Sequence, residues 1–113
     1  MATKNDPALK AALRFVRAVQ KSGVRLQAAY LYGSHAKRQA DADSDIDIAL
    51  VSLDFSGWVD DLRLIEPALL AMDARIEHVR FHPSDFRDEN PLVWEIKTSG
   101  IQLVGSDPPR PPS

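Results

Sequence analysis

The 113-residue sequence contains no cysteine. That absence excludes disulfides, thiolate nucleophiles and thiolate-ligated metals, and it suits a reducing compartment. Long apolar runs are missing too: no stretch approaches the roughly 20 residues that a membrane-spanning helix needs. The first residues lack the apolar core of a secretory leader. The expectation is a cytoplasmic protein with no membrane attachment. A strongly basic balance is also lacking. Fourteen Lys and Arg stand against sixteen Asp and Glu, a formal charge of −2. That argues against a dedicated nucleic-acid binder, and no direct nucleic-acid contact is expected.

What is present is ordinary for a globular chain, with 44% hydrophobic and 27% charged residues. The length supports one domain with one modest core, and a sheet with helices laid on it. Charge is uneven along the chain. Lys4, Lys10, Arg14, Arg17, Lys21 and Arg25 cluster early, while acids dominate from Asp41 to Glu66. The basic cluster reads as a solvated helix face, or as a surface for an acidic partner.

Taken in order, Asp6 is a cap and Pro7 a first helical residue. Leu9, Ala12, Leu13, Val16 and Val19 then recur at helical spacing up to Ser22-Gly23. The spacing predicts a helix over 7–22. A first strand is expected over 24–31, ended by Gly33, with a helical turn over 36–39 and a loop over 40–44. Asp45 to Ser52 reads as a central strand: Ile46, Ile48 and Leu50 lie on one face, Ala49 and Val51 on the other. A helix over 58–72 carries Leu62, Ile65, Leu69 and Met72, with a kink or break at Pro67. A third strand over 74–81 places Glu77, Val79 and Phe81 on one face and His78 on the other. A helix over 91–99 and a short strand over 101–104 close a domain spanning residues 1–105. Residues 106–113 hold four prolines and are expected to be a disordered or polyproline II tail. Trp58 and Trp94 suit a core or an interface better than base stacking.

The chemistry concentrates in two linked stretches. Leu31-Tyr32-Gly33-Ser34 reads as a strand ending in a turn, where Gly33 lets backbone approach an anion and Ser34 adds a hydroxyl and an N–H. Ser44-Asp45-Ile46-Asp47 opens the next strand. Residues two apart on a strand point the same way, about 7 Å apart. Two such carboxylates repel unless a cation lies between them, and oxygen-only ligands suit Mg²⁺ or Mn²⁺. Glu77 joins them as a third ligand, or as a general base, if its strand is the neighbour. His35, Lys37 and Arg38 offer cations to a triphosphate, or form a solvated basic loop.

Gly33-Ser34-His35-Ala36, followed by Ser44-Asp45-Ile46-Asp47-Ile48, resembles the signature of the DNA polymerase β-type nucleotidyltransferase superfamily. The spacing is similar to that of its small stand-alone members, the minimal nucleotidyltransferases, which are commonly paired with a helical HEPN protein in toxin–antitoxin systems. The resemblance spans about residues 7–105. It implies an α+β fold, a mixed β-sheet with helices packed mainly on one face. It implies that Asp45, Asp47 and Glu77 hold Mg²⁺ and act in catalysis, and that Gly33, Ser34 and Lys37 hold the nucleotide. The implied activity is transfer of AMP from ATP to a hydroxyl, here a tyrosine of a HEPN toxin that the chain silences as antitoxin. Two positions depart from the pattern: Glu77 stands where the family usually has aspartate, and Lys37-Arg38 where it often has Arg-Gly. An alternative is therefore a weak or inactive module that neutralises its partner by binding. Under either reading a homo- or hetero-oligomer is open. A third reading, a small-molecule adenylyltransferase, usually requires a second domain.

Overall fold

The structure is a computed structural model and describes residues 7–37, 44–56 and 61–105. Expectations for Arg38, the 40–43 loop, Trp58 and the proline-rich tail lie outside those residues. The described elements run α1 (Pro7–Lys21), β1 (Ala28–Tyr32), β2 (Ile46–Val51), α2 (Asp61–Ala71), β3 (Ile76–Phe81), a short 3₁₀ turn (Pro83–Asp85), α3 (Pro91–Ser99) and β4 (Ile101–Val104). The strands form one mixed sheet ordered β3-β2-β1-β4. β1 runs antiparallel to both β2 and β4, and β2 runs parallel to β3. This is the α+β architecture expected from the sequence.

β2 is central because almost nothing on it needs water. Ile46, Ile48, Ala49, Leu50 and Val51 are all buried, and Asp47 alone among its residues is only half-buried. One face of the sheet meets α1 and α2, where Ile46, Ile48, Leu50, Leu31 and Ala29 join Phe15, Val16, Ile65 and Ala68 in the main core. The other face meets α3, where Ile96 packs on Tyr32 and Ala49. Further along that face Phe86 stacks on Tyr30 and meets Phe81 edge-on, 5.6 and 5.2 Å between ring centres.

The helices differ from their expected faces in informative ways. α1 buries Ala8, Ala11, Ala12, Phe15, Val16 and Val19, while Leu9 and Leu13 sit at the margin. Alanines let the helix approach the sheet closely, so the stripe centres on them rather than on the leucines. α2 is one helix that contains Pro67, not two. Proline removes the hydrogen bond to the carbonyl four residues back, that of Arg63. Both residues are exposed, so water can satisfy that carbonyl. Leu62, expected inside, is exposed, and Ala68 takes its place in the core. Trp94 is 59% exposed and does not belong to the core.

β1 starts at Ala28, later than its apolar sequence suggests. In the segment before it, Gln27 still donates to the Val51 carbonyl at 2.8 Å, but Arg25 is held by side chains. The Ser52 hydroxyl donates to the Arg25 carbonyl at 2.8 Å, and the Arg25 N–H donates to Asp54 at 3.0 Å. α3 matches its expected span. Asn90 caps its first turn by accepting from the Leu92 N–H at 2.9 Å, Pro91 opens it and Gly100 follows its last residue.

Candidate functional site

Strand register brings the site together. Tyr32 at the end of β1 pairs with Asp47 at the start of β2, and Asp47 pairs with Glu77 at the start of β3. The three side chains therefore stand in a row across three strands, on the face that carries α3. Asp45 lies two residues before Asp47, just outside β2, and is exposed. The expected proximity of Glu77 to the aspartates follows from the parallel β2–β3 pairing, in which partners directly oppose each other. His78, next along β3, turns to the other face and packs 5.9 Å from the Phe15 ring. Burial and the Arg80 charge push its pKa down, so it is a neutral packing group and no part of the site.

The turn after β1 covers this row. Gly33 takes a positive φ of 74°, which side-chain-bearing residues rarely adopt. A β-carbon at Gly33 would collide with Asp47 Oδ2. Glycine is thus required twice, once by its backbone angle and once by the carboxylate beneath it. The Lys37 N–H donates to the Gly33 carbonyl at 3.1 Å, closing residues 33–37 into one helical-type turn. His35 Nε2 donates to the Ser44 carbonyl at 3.3 Å, which ties the glycine-serine turn to the residue preceding Asp45.

Negative charge is crowded here. The Asp47 pKa is raised first by burial, then by Asp45 and Glu77, with Glu95 adding to the effect and His35 opposing it. The Tyr32 hydroxyl is pushed up by burial and then by Asp47, Glu95 and Glu77. Among the described residues no donor is bonded to the Asp47 carboxylate. An all-oxygen donor set whose members repel one another fits a hard divalent cation, which would relieve that repulsion. The ligands are not drawn into a closed cage: among the described residues, no three His, Cys, Asp or Glu side chains are gathered closely enough to hold an ion.

Two neighbours escaped the sequence reading. Glu95 on α3 reaches Lys37, with Nζ 3.6 Å from Oε2. Lys37, expected to hold a nucleotide, is paired with this carboxylate. Tyr32 forms the buried wall of the row. No local pattern announces Glu95, because its relation to the site depends on how α3 lies across β1. Tyr32 had a signal, since it directly precedes the glycine turn.

The chain belongs to the polymerase β nucleotidyltransferase family, whose sequence profile matches residues 16–109. Among solved structures it is similar to a candidate nucleotidyltransferase from Sulfolobus solfataricus, at 17% identity and a TM-score of 0.65 over 89% of this chain and 83% of that one. It is also similar to a chain of a toxin–antitoxin complex crystallised with AMP-PNP, at 24% identity and a TM-score of 0.61, covering 83% of this chain and 73% of the other. A third is from the MntA–HpeT toxin–antitoxin complex, in a variant with two aspartates, two residues apart, changed to glutamate. It shows 21% identity and a TM-score of 0.57, with 83% of this chain and 73% of that one covered. No curated protein sequence matches the chain. The family and the fold together define a nucleotidyltransferase domain of the polymerase β class.

Proposed function

We propose that this nucleotidyltransferase moves AMP from ATP to a hydroxyl, and that the acceptor is a tyrosine on a HEPN-type toxin for which the chain is the antitoxin. The observation that carries the reading is the carboxylate row, Asp47 and Glu77 directly paired with Asp45 beside them, covered by the Gly33 turn. The likeness to toxin–antitoxin chains supports the setting, and one of those structures holds AMP-PNP. The two substituted aspartates of the MntA–HpeT variant have the same spacing as Asp45 and Asp47.

In the proposed step the acceptor oxygen attacks the α-phosphorus. The bond from that phosphorus to the oxygen bridging to the β-phosphate breaks, and pyrophosphate leaves. Asp45, Asp47 and Glu77 would hold Mg²⁺ or Mn²⁺, which would neutralise phosphate charge and make the acceptor hydroxyl easier to deprotonate. Glu77, the most exposed side chain of the row, is placed to take that proton. Gly33 and Ser34 offer backbone N–H groups and a hydroxyl to the phosphates. Lys37 reaches them once it leaves Glu95. Residues 1–105 form the transferase domain in this reading.

The test is to incubate the chain with its neighbour-encoded toxin, ATP and Mg²⁺ and to weigh the toxin. One or more added AMP units are expected, lost in the Asp45→Asn/Asp47→Asn double variant. The Lys37–Glu95 pair and the open carboxylate set favour a second reading, a binding module with little catalysis. A toxin that stays unmodified, yet is inhibited by the double variant, would establish that second reading instead.

A further inference from the structure

α1 carries Lys10, Arg14, Arg17 and Lys21, and no acidic residue. Their spacing of four, three and four places them along one side of the helix. All four are exposed. Among the described residues none of them is ion-paired, whereas Arg25, Lys37, Arg75, Arg87 and Lys97 each hold a carboxylate. Like charges at these spacings repel, and among the described residues the stripe meets a carboxylate's field at Arg14, which, after the Arg75 hydrogen bonds, helps lower the Asp73 pKa without forming an ion pair.

Beside the stripe, α1 and α2 border an open groove of about 530 Å³. Arg14, Arg17 and Lys21 line its rim, and Asp73 stands at its end. Its floor is apolar and mostly small: Ala11, Ala18 and Ala68, with Phe15 and Met72. The groove lies on the α1–α2 side of the sheet, whereas the carboxylate row faces α3. The basic stripe and the carboxylate row thus lie on opposite sides of the sheet.

The geometry points to this groove as the docking site for an acidic amphipathic helix of a partner protein. Alanines on the floor let a second helix approach closely, ridge against groove. Carboxylates at successive turns of that helix would meet Arg14, Arg17 and Lys21, and the two guanidinium groups can grip carboxylates bidentately. A nucleic-acid backbone would use the charges but leave the apolar floor uncovered, and the net charge of −2 gives it little long-range attraction. The inference does not depend on nucleotidyl transfer, since the groove lies behind the sheet.

Amide NMR spectra of the ¹⁵N-labelled full chain test it. Three probes are titrated: a synthetic helical peptide with glutamates flanking a leucine stripe, a scrambled peptide of the same composition, and an oligouridylate. The amphipathic peptide is expected to shift α1 and the second half of α2, leaving Gly33, Asp47 and Glu77 unmoved. The Arg14→Gln/Arg17→Gln/Lys21→Gln variant should weaken binding by at least about tenfold. Ala18→Gln, which obstructs the floor with every charge kept, should weaken it as well. The three basic positions are exposed, so their variant should keep its circular dichroism spectrum, and it decides the matter if Ala18→Gln does not fold. Equal binding of the scrambled peptide, tighter binding of oligouridylate, or shifts centred on the carboxylate row would each overturn the inference.

Discussion

Gly33 lies directly over the Asp47 carboxylate, so close that no β-carbon fits between them. The glycine therefore does more than end β1, because its bare backbone is the lid of the carboxylate row. Gly33→Ala would place a side chain at a φ of 74°, which destabilises by about 1–2 kcal/mol through backbone strain alone. The new methyl must also push Asp47 aside. A fall of about 5–10 °C in thermal midpoint is expected by calorimetry. Nucleotidyl transfer should drop further than this instability explains, by at least about tenfold at temperatures where the variant stays folded.

Asp47 carries opposite consequences for stability and activity. Its pKa is raised in the folded state, so the fold favours the protonated carboxyl. The stability it contributes is complete below the ordinary aspartate range and is lost as pH rises through the raised value. Asp47→Asn should remove that loss. The variant is expected to be more stable than the parent near neutrality, by no more than about 1 kcal/mol because the carboxylate keeps contact with water. Denaturant melts across the acid range should show the two proteins converging as pH falls. Transfer activity needs the ionised carboxylate, so it should rise with pH through the same window. A site residue whose removal stabilises the fold is one held in place for function.

A divalent cation should cancel the same repulsion. Mg²⁺ or Mn²⁺ binds the folded chain through carboxylates that the unfolded chain does not assemble. A concentration tenfold above the dissociation constant would stabilise the protein by about 1.4 kcal/mol. The expected readout is a metal-dependent rise in thermal midpoint near neutrality that vanishes in the Asp45→Asn/Asp47→Asn variant. The rise should also shrink as pH falls, because protons compete for Asp47. A rise of equal size in the double variant would place the ion elsewhere.

The parts of this molecule that were legible in its sequence are those fixed by local pattern. β2 was legible because its apolar residues fall on both faces, and α3 because Pro91 and Gly100 mark its ends. The meeting of Asp47 with Glu77 was legible once the strands were placed, since period-two alternation puts both on one face. What was not legible depends on distant partners. Val24 to Gln27 has the composition of a strand, but Ser52 and Asp54 occupy the backbone groups of Arg25, so regular pairing stops beyond Gln27. The buried stripe of α1 could not be centred from hydrophobicity, because alanine and leucine score differently while close approach selects the smaller. Glu95 belongs beside Lys37 only because Val93 and Ile96 turn α3 onto the sheet.

Glu95 offers a way to separate binding from chemistry. It holds Lys37 in a half-exposed ion pair, and such pairs contribute about 0.2–1 kcal/mol or less to stability. Glu95→Gln should therefore leave the thermal midpoint nearly unchanged. It frees Lys37 for a phosphate and removes one negative charge from the surroundings of Asp47 and Tyr32. The expectation is a several-fold lower KM for ATP with kcat little altered, read from initial rates. Lys37→Met should reverse the gain when combined with it. An unchanged KM in Glu95→Gln would show that Lys37 does not reach the nucleotide.

Ser52 provides the matching structural control on the far side of the sheet. It is fully buried at the end of β2. Its hydroxyl donates to the Arg25 carbonyl at 2.8 Å and accepts from the Asp54 N–H at 3.0 Å. One side chain thus satisfies two backbone groups in the segment where β1 and β2 stop pairing. Ser52→Ala leaves both without this partner, which costs about 1–3 kcal/mol when such groups cannot reach water. The Arg25–Asp54 ion pair next to it, 3.1 Å long, lies at the surface and cannot substitute for the hydroxyl. Denaturant unfolding should show the loss, and amide exchange should quicken at Asp54 in particular, whose N–H loses its acceptor. Transfer per folded molecule should stay at the parent level, because Gly33, Asp47 and Glu77 are held at the opposite end of the strands.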